Sequence, residues 1–150
     1  MPHPISPEQA RTEVIDAARD IATALNGEVA EALFSYDSCN DEGEPPFRGA
    51  LLLKLWLPGI PHDEPADPQR VLQVLAQHGW SSDPNLHSHA PALRRGPIII
   101  MITVAPRAPA GKKIGAHVGV NVDGQCRDTF DHRTDGSILP VDVRKEIAQP

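Results

Sequence analysis

Gly49-Ala50-Leu51-Leu52-Leu53-Lys54-Leu55-Trp56-Leu57-Pro58 decides the fold class. In an extended chain Leu51, Leu53, Leu55 and Leu57 share one face, and Leu52, Lys54 and Trp56 share the other. The second face is mostly apolar, which suits a strand at the centre of a sheet or one covered by a partner. Downstream, Pro97-Ile-Ile-Ile-Met-Ile-Thr-Val104 is the most β-branched run and reads as another central strand, bounded by Pro97 and a loop at 106–112. Ile114, Ala116, Val118, Val120 and Val122 then alternate with Gly115, His117, Gly119 and Asn121, a half-exposed strand that Asp123-Gly124 turns off. Upstream, Ala32, Phe34 and Tyr36 alternate with Leu33 and Ser35 and lead into an acidic loop at 37–46.

Two helices punctuate these strands. Ser6-Pro7-Glu8-Gln9 has Ser at the N-cap, Pro at N1 and Gln at N3, a capping box with an acidic residue beside the positive end of the helix dipole. Val14, Ile15, Ala18, Ile21, Ala22 and Leu25 follow at helical spacing, with Glu13, Asp16, Arg19 and Asp20 turned away, until Asn26-Gly27 ends the helix. Asp67-Pro68 repeats the cap for a second helix whose buried side is Val71, Leu72, Val74 and Leu75. Gly79 suits its C′ position, and Trp80 is placed to fold back on the last turn. Arg94-Arg95-Gly96 reads as a hairpin turn. The expected architecture is α+β: an antiparallel sheet of four to five strands with two helices packed on one face. One domain spans 1–150, with an ordered core over about 6–128 and an irregular segment over 129–150 that has at most a helical turn near its end.

A chain of 150 residues is long enough for an ordinary core. With 14 Lys and Arg against 20 Asp and Glu the net charge is −6, and no basic stretch interleaves with aromatics, so nucleic-acid binding is disfavoured. No apolar run approaches the ~20 residues of a membrane span. The first seven residues hold neither the basic and apolar regions of an export signal nor a lipid-attachment cysteine. A cytoplasmic chain and a domain whose leader has been removed both fit. The 16 prolines cluster between apolar segments and stiffen the loops.

Cys39 and Cys126 are the two cysteines, each in polar, turn-prone sequence. Such a setting suits a structural disulfide better than buried hydrophobes or a metal site. Two silent thiols are the alternative; a redox switch lacks the Cys-x-x-Cys spacing or basic surroundings it needs. Closing a loop of roughly 90 residues would stabilise the fold by about 4–5 kcal/mol in the chain-entropy model. His87 and His89, with His78 nearby, place imidazoles close together without a recognised metal spacing, so no metal or cofactor is expected. Asp128-Thr-Phe-Asp-His132, which includes Asp131 and is followed by Asp135, supplies half of an acid/base set and no nucleophile to complete it. No serine sits in a nucleophile elbow, and Gly111-Lys112 is not in a phosphate-binding loop. His117, flanked by Gly115 and Gly119 on its face of the strand, marks a shallow groove where a ligand could lie on the sheet.

The helix at 10–25, the early Cys39, the closing Gln77-His78-Gly79-Trp80 and the terminal Asp123-Gly124-Gln125-Cys126-Arg127 resemble the small extracytoplasmic domains of actinobacterial, in particular mycobacterial Lpp-type, lipoproteins. The resemblance is one of layout and covers most of residues 7–128. It implies one disulfide, no catalytic motif and a place in the cell envelope or outside the cell, with a lipid anchor upstream. The functional expectation is a non-enzymatic binding or interaction domain for an unknown protein or small molecule. The alternatives are a cytoplasmic acidic inhibitor or immunity-type protein that binds a basic partner and, third, a metal-dependent hydrolase using the histidine clusters.

Overall fold

The computed structural model describes residues 3–61, 63–82, 91–105 and 117–148. Helix α1 (Pro7–Ala24) starts with both bonds of the capping box: Gln9 N–H donates to Ser6 Oγ at 3.1 Å and Ser6 N–H to Gln9 Oε1 at 2.9 Å. It ends in a Schellman turn, with Asn26 in the left-handed region at φ 51° and Gly27 N–H bonded to the Ala22 carbonyl at 2.9 Å. Strands β1 (Glu28–Ser38) and β2 (Phe47–Trp56) form an antiparallel hairpin. Helix α2 (Pro68–Gln77) is capped by Asp67 and closed by a second Schellman turn: Trp80 N–H reaches the Leu75 carbonyl at 3.1 Å, Gly79 N–H that of Ala76 at 3.3 Å. The Trp80 ring folds back into the core and Arg95 stacks over it at 4.6 Å.

The rest of the sheet comprises β3 (Ser81–Ser82), β4 (Ala92–Arg95), β5 (Ile98–Ala105), β6 (His117–Asp123) and β7 (Val141–Asp142), followed by helix α3 (Arg144–Ala148). Among the described residues the seven strands are ordered β3-β4-β5-β6-β2-β1-β7, and each of these pairings is antiparallel. The α+β class is as expected; the strand count exceeds four to five. The additions include β3 and β7 at the two edges. Two residues carry no alternation, and such strands form only where a neighbour offers unpaired backbone groups.

One core joins the sheet to all three helices. Ala32 and Phe34, Leu51, Leu53 and Leu55, Ile98, Ile100 and Ile102, and Val118, Val120 and Val122 point to the same side. There they meet Val14, Ile15, Ala18, Ile21, Val71, Leu75, Val143 and Ile147. Gly49 lets α1 come close: a Cβ there would run into the Ala10 carbonyl oxygen. Glu13 ties α1 to the end of β6 by accepting from Gln125 N–H at 2.7 Å and from its side-chain amide at 2.8 Å.

The C-terminal segment corrects the sequence reading, which ended the ordered core near residue 128. Strand β7 pairs Val141 with Phe34 and Asp142 with Leu33, and Val143 and Ile147 are buried. Arg11 clamps Glu146 with two bonds of 2.8 and 2.6 Å, and Arg19 donates to the Glu146 carbonyl at 3.1 and 2.9 Å. A five-residue helix has no stability of its own; packing and these bonds hold it. The α1 face read as turned away therefore works as a second docking surface.

Candidate functional site

The helices cover one side of the sheet; among the described residues no helix covers the other side, the open face. Its side chains form rows across the strands, fixed by register. One row runs Ser35, Ala50, Asp123, Ile99, Arg94, and the next runs Leu33, Leu52, Asn121, Met101, Ala92. Beyond the first row, Asp37 stands opposite Arg48; beyond the second, Glu31, Lys54, Gly119 and Thr103 align. Ser35 and Ala50 are small, while their neighbours on both sides are long. The result is a hollow of about 320 Å³ with Leu33, Leu52 and Met101 on one wall, Asp37, Arg48 and Asp123 on the other, and Pro140 at its rim.

The polar wall is incompletely paired. Arg48 Nε is buried and has no hydrogen-bond partner; it stands 3.8 Å from Asp123 Oδ1, an ion-pair distance too long for a hydrogen bond. Burial raises the Asp123 carboxyl above its ordinary pKa, against the pull of Arg48 and with a further push from Asp37. Asp37 accepts from the Ser35 hydroxyl at 3.1 Å. The open face thus holds an unsatisfied guanidinium donor between two carboxylates, beside half-buried aliphatic side chains.

The residues singled out from sequence fall in three places. His117 and Gly119 lie in β6 on this open face, with Gly119 between Lys54 and Thr103, so the aliphatic wall of the hollow is the row next to Gly119 and the floor lies two rows from Gly119 and three from His117. Gly115 and the His87 and His89 pair lie outside the described residues; His78, the C-cap of α2, is exposed. Cys39 and Cys126 are joined as a disulfide with Cα atoms 6.1 Å apart, tying the mouth of the β1–β2 hairpin to the chain leaving β6. Asp37, Arg48 and Asp123 were not singled out. Their signal, the odd-even alternation of β2, names a face but not the strands beside it.

Asp128 and His132, read from sequence as half of an acid/base set, are buried, at 0 % and 2 % exposure. His132 Nε2 lies 2.7 Å from Asp128 Oδ2; Nδ1 lies 2.7 Å from Ser137 Oγ and 3.2 Å from Asp135 Oδ2. The nearby serine gives the outline of a catalytic triad, but the Ser137 hydroxyl donates to Asp135. Both ring nitrogens of His132 thus face side-chain partners inside the cluster, Asp128 on one side and Ser137 with Asp135 on the other. Tyr36 stacks flat on the imidazole at 3.9 Å and Phe47 meets it edge-on at 5.1 Å. The Tyr36 hydroxyl donates to the Pro7 carbonyl at 2.7 Å, and burial, then Asp128, raises the phenol pKa. This cluster rivets the chain after Cys126 to β1, β2 and the start of α1. Among the described residues no group of three or more potential ligands could hold a metal.

Fold and site together define a disulfide-closed α+β domain: one antiparallel sheet with helices on one side and, among the described residues, none on the other. The family model described as "Putative lipoprotein LppJ" matches residues 6–146, and the chain belongs to that family. Proteins of the same description from two Mycobacterium tuberculosis strains and from Mycobacterium bovis are each 29 % identical over 150 residues, covering 99 % of this chain and 74 % of theirs. No solved structure matches.

Proposed function

We propose that this chain is a non-enzymatic binding domain of the cell envelope that presents its uncovered sheet face to a protein or small-molecule partner. The carrying observation is the contrast between the faces: Leu33, Leu52 and Met101 are half-buried on the side without helices. Contiguous apolar side chains beside unpaired polar groups are the usual composition of a binding surface. The lipoprotein description of the relatives supports an envelope location with a lipid anchor, and the disulfide suits an oxidising compartment. The engaged ring nitrogens of His132 support a structural role for the Asp128–His132–Ser137 cluster.

Two measurements test the reading. Fractionation of source cells should recover the chain with envelope or extracellular material; recovery in the cytosol would sink the location. Covalent footprinting should then label Met101 and Lys54 more slowly in intact cells than in purified protein, because a partner covers the face. Equal labelling would remove the sheet face as the binding surface.

A further inference from the structure

The open-face hollow carries charge of both signs beside an aliphatic wall, and its ligand must answer all three features. An anion alone would satisfy Arg48 and meet the two carboxylates of Asp37 and Asp123. A cation alone would meet the partly exposed Arg48 guanidinium as a like charge. A neutral alkyl group would cover Leu33, Leu52 and Met101 and strip water from the charged wall with nothing in exchange. We infer that the hollow is a site for a small aliphatic zwitterion, a free α-amino acid or the equivalent ends of a short peptide, with its carboxylate on Arg48, its ammonium toward Asp37 and Asp123, and its aliphatic body against Leu33, Leu52 and Met101. This inference rests on the sheet-face reading and gives that face a ligand class.

The construction of the hollow supports this choice. Ser35 and Ala50 form its floor, so the ligand body reaches the sheet while the charged wall stands beside it. Its volume of about 320 Å³ is at the small end of the roughly 300–1,000 Å³ of ligand sites, suited to one or two residues and not to a folded partner. An ammonium at Asp123 would relieve the burial that raises its carboxyl pKa, and a carboxylate on a guanidinium forms the strongest kind of protein hydrogen bond.

The test is a titration of the full chain, followed by amide NMR, with L-leucine, leucyl-leucine, leucinamide, which lacks the carboxylate, and N-acetylleucine, which lacks the ammonium. Saturable shifts confined to Ala50, Leu52, Asn121 and their neighbours are expected with the two zwitterions, and binding at least about tenfold weaker with each blocked compound. Whichever zwitterion binds more tightly separates a free amino acid from a peptide as the source. Arg48→Gln and Asp37→Asn should each weaken binding about tenfold while shifting the unfolding midpoint little, since each removes one partly exposed contact, the long Arg48–Asp123 ion pair or the charge on the acceptor of the Ser35 hydroxyl. Absence of saturable shifts, or affinity indifferent to blocking either charged end, would overturn the inference. So would broadening of the whole face that tracks protein concentration, the mark of a second copy. Cellular protection of Met101 and Lys54 without any response to these compounds would overturn the zwitterion and leave the sheet-face reading standing. Loss of both results would retire both.

Discussion

The two faces of one sheet use the same strands and do opposite things. Leu51, Leu53 and Leu55 of β2 are buried under α1, while Leu52, Lys54 and Trp56, their neighbours in the chain, face the side that no helix covers. On the helical side polar groups are satisfied: Glu13 is bonded to Gln125 and Glu146 to Arg11. On the open side Arg48 Nε has no partner and Asp123 is held in an environment that disfavours its charge. Burial without full pairing costs stability, and a fold keeps it most readily where a ligand can supply the missing partner.

The largest expected effect comes from exchanging equivalent leucines across that divide. Leu53→Ala should destabilise by about 2–5 kcal/mol and Leu52→Ala by less than about 1 kcal/mol, read from urea unfolding midpoints. Similar losses would mean that the open face is covered as the other is. Next, the joint change Cys39→Ser and Cys126→Ser should cost about 2–4 kcal/mol, and reductant should lower the thermal midpoint of the native chain without affecting the variant.

A smaller effect separates the faces by pH. The Arg11 guanidinium lowers the Glu146 carboxyl pKa, whereas burial raises that of Asp123. The Arg11–Glu146 contribution is therefore complete above the unfolded carboxyl pKa and is lost as pH falls through the lower folded value. Asp123 has the opposite sign: its neutral form favours folding below the unfolded pKa, and that advantage is lost as pH rises through the higher folded value. Carboxyl NMR titration should place Glu146 below and Asp123 above the ordinary range. Because the Arg11–Glu146 pair is partly exposed, Glu146→Gln should cost no more than about 1 kcal/mol at neutral pH. The smallest change is Asn26→Gly, which should stabilise by about 0.5 kcal/mol by relieving the left-handed cap of α1.

Much of the helical face was legible in sequence because periodicity and caps are local. Ser6, Gln9, Asn26, Gly27, Asp67, Gly79 and Trp80 all act within one turn of their own chain, and the structure places each at a helix end. The open-face hollow was not legible. Its walls come from β1, β2, β5 and β6, and only register shows that Ser35 and Ala50 lie between a charged row and an aliphatic one. His117 and Gly119 were read on the correct face because alternation assigns faces.

By itself the sequence determined the two long helices and the longer strands, which face of β2 is continuously apolar, and that two cysteines sit in polar turns. Tertiary structure alone decided that Asp128 and His132 are buried, that residues 141–148 complete the sheet and core, and that Arg48 stands between Asp37 and Asp123 with its Nε lacking a hydrogen-bond partner. The physical reason is range. Propensity, capping and alternation depend on neighbours along the chain, whereas burial and pairing depend on strands that meet only after folding.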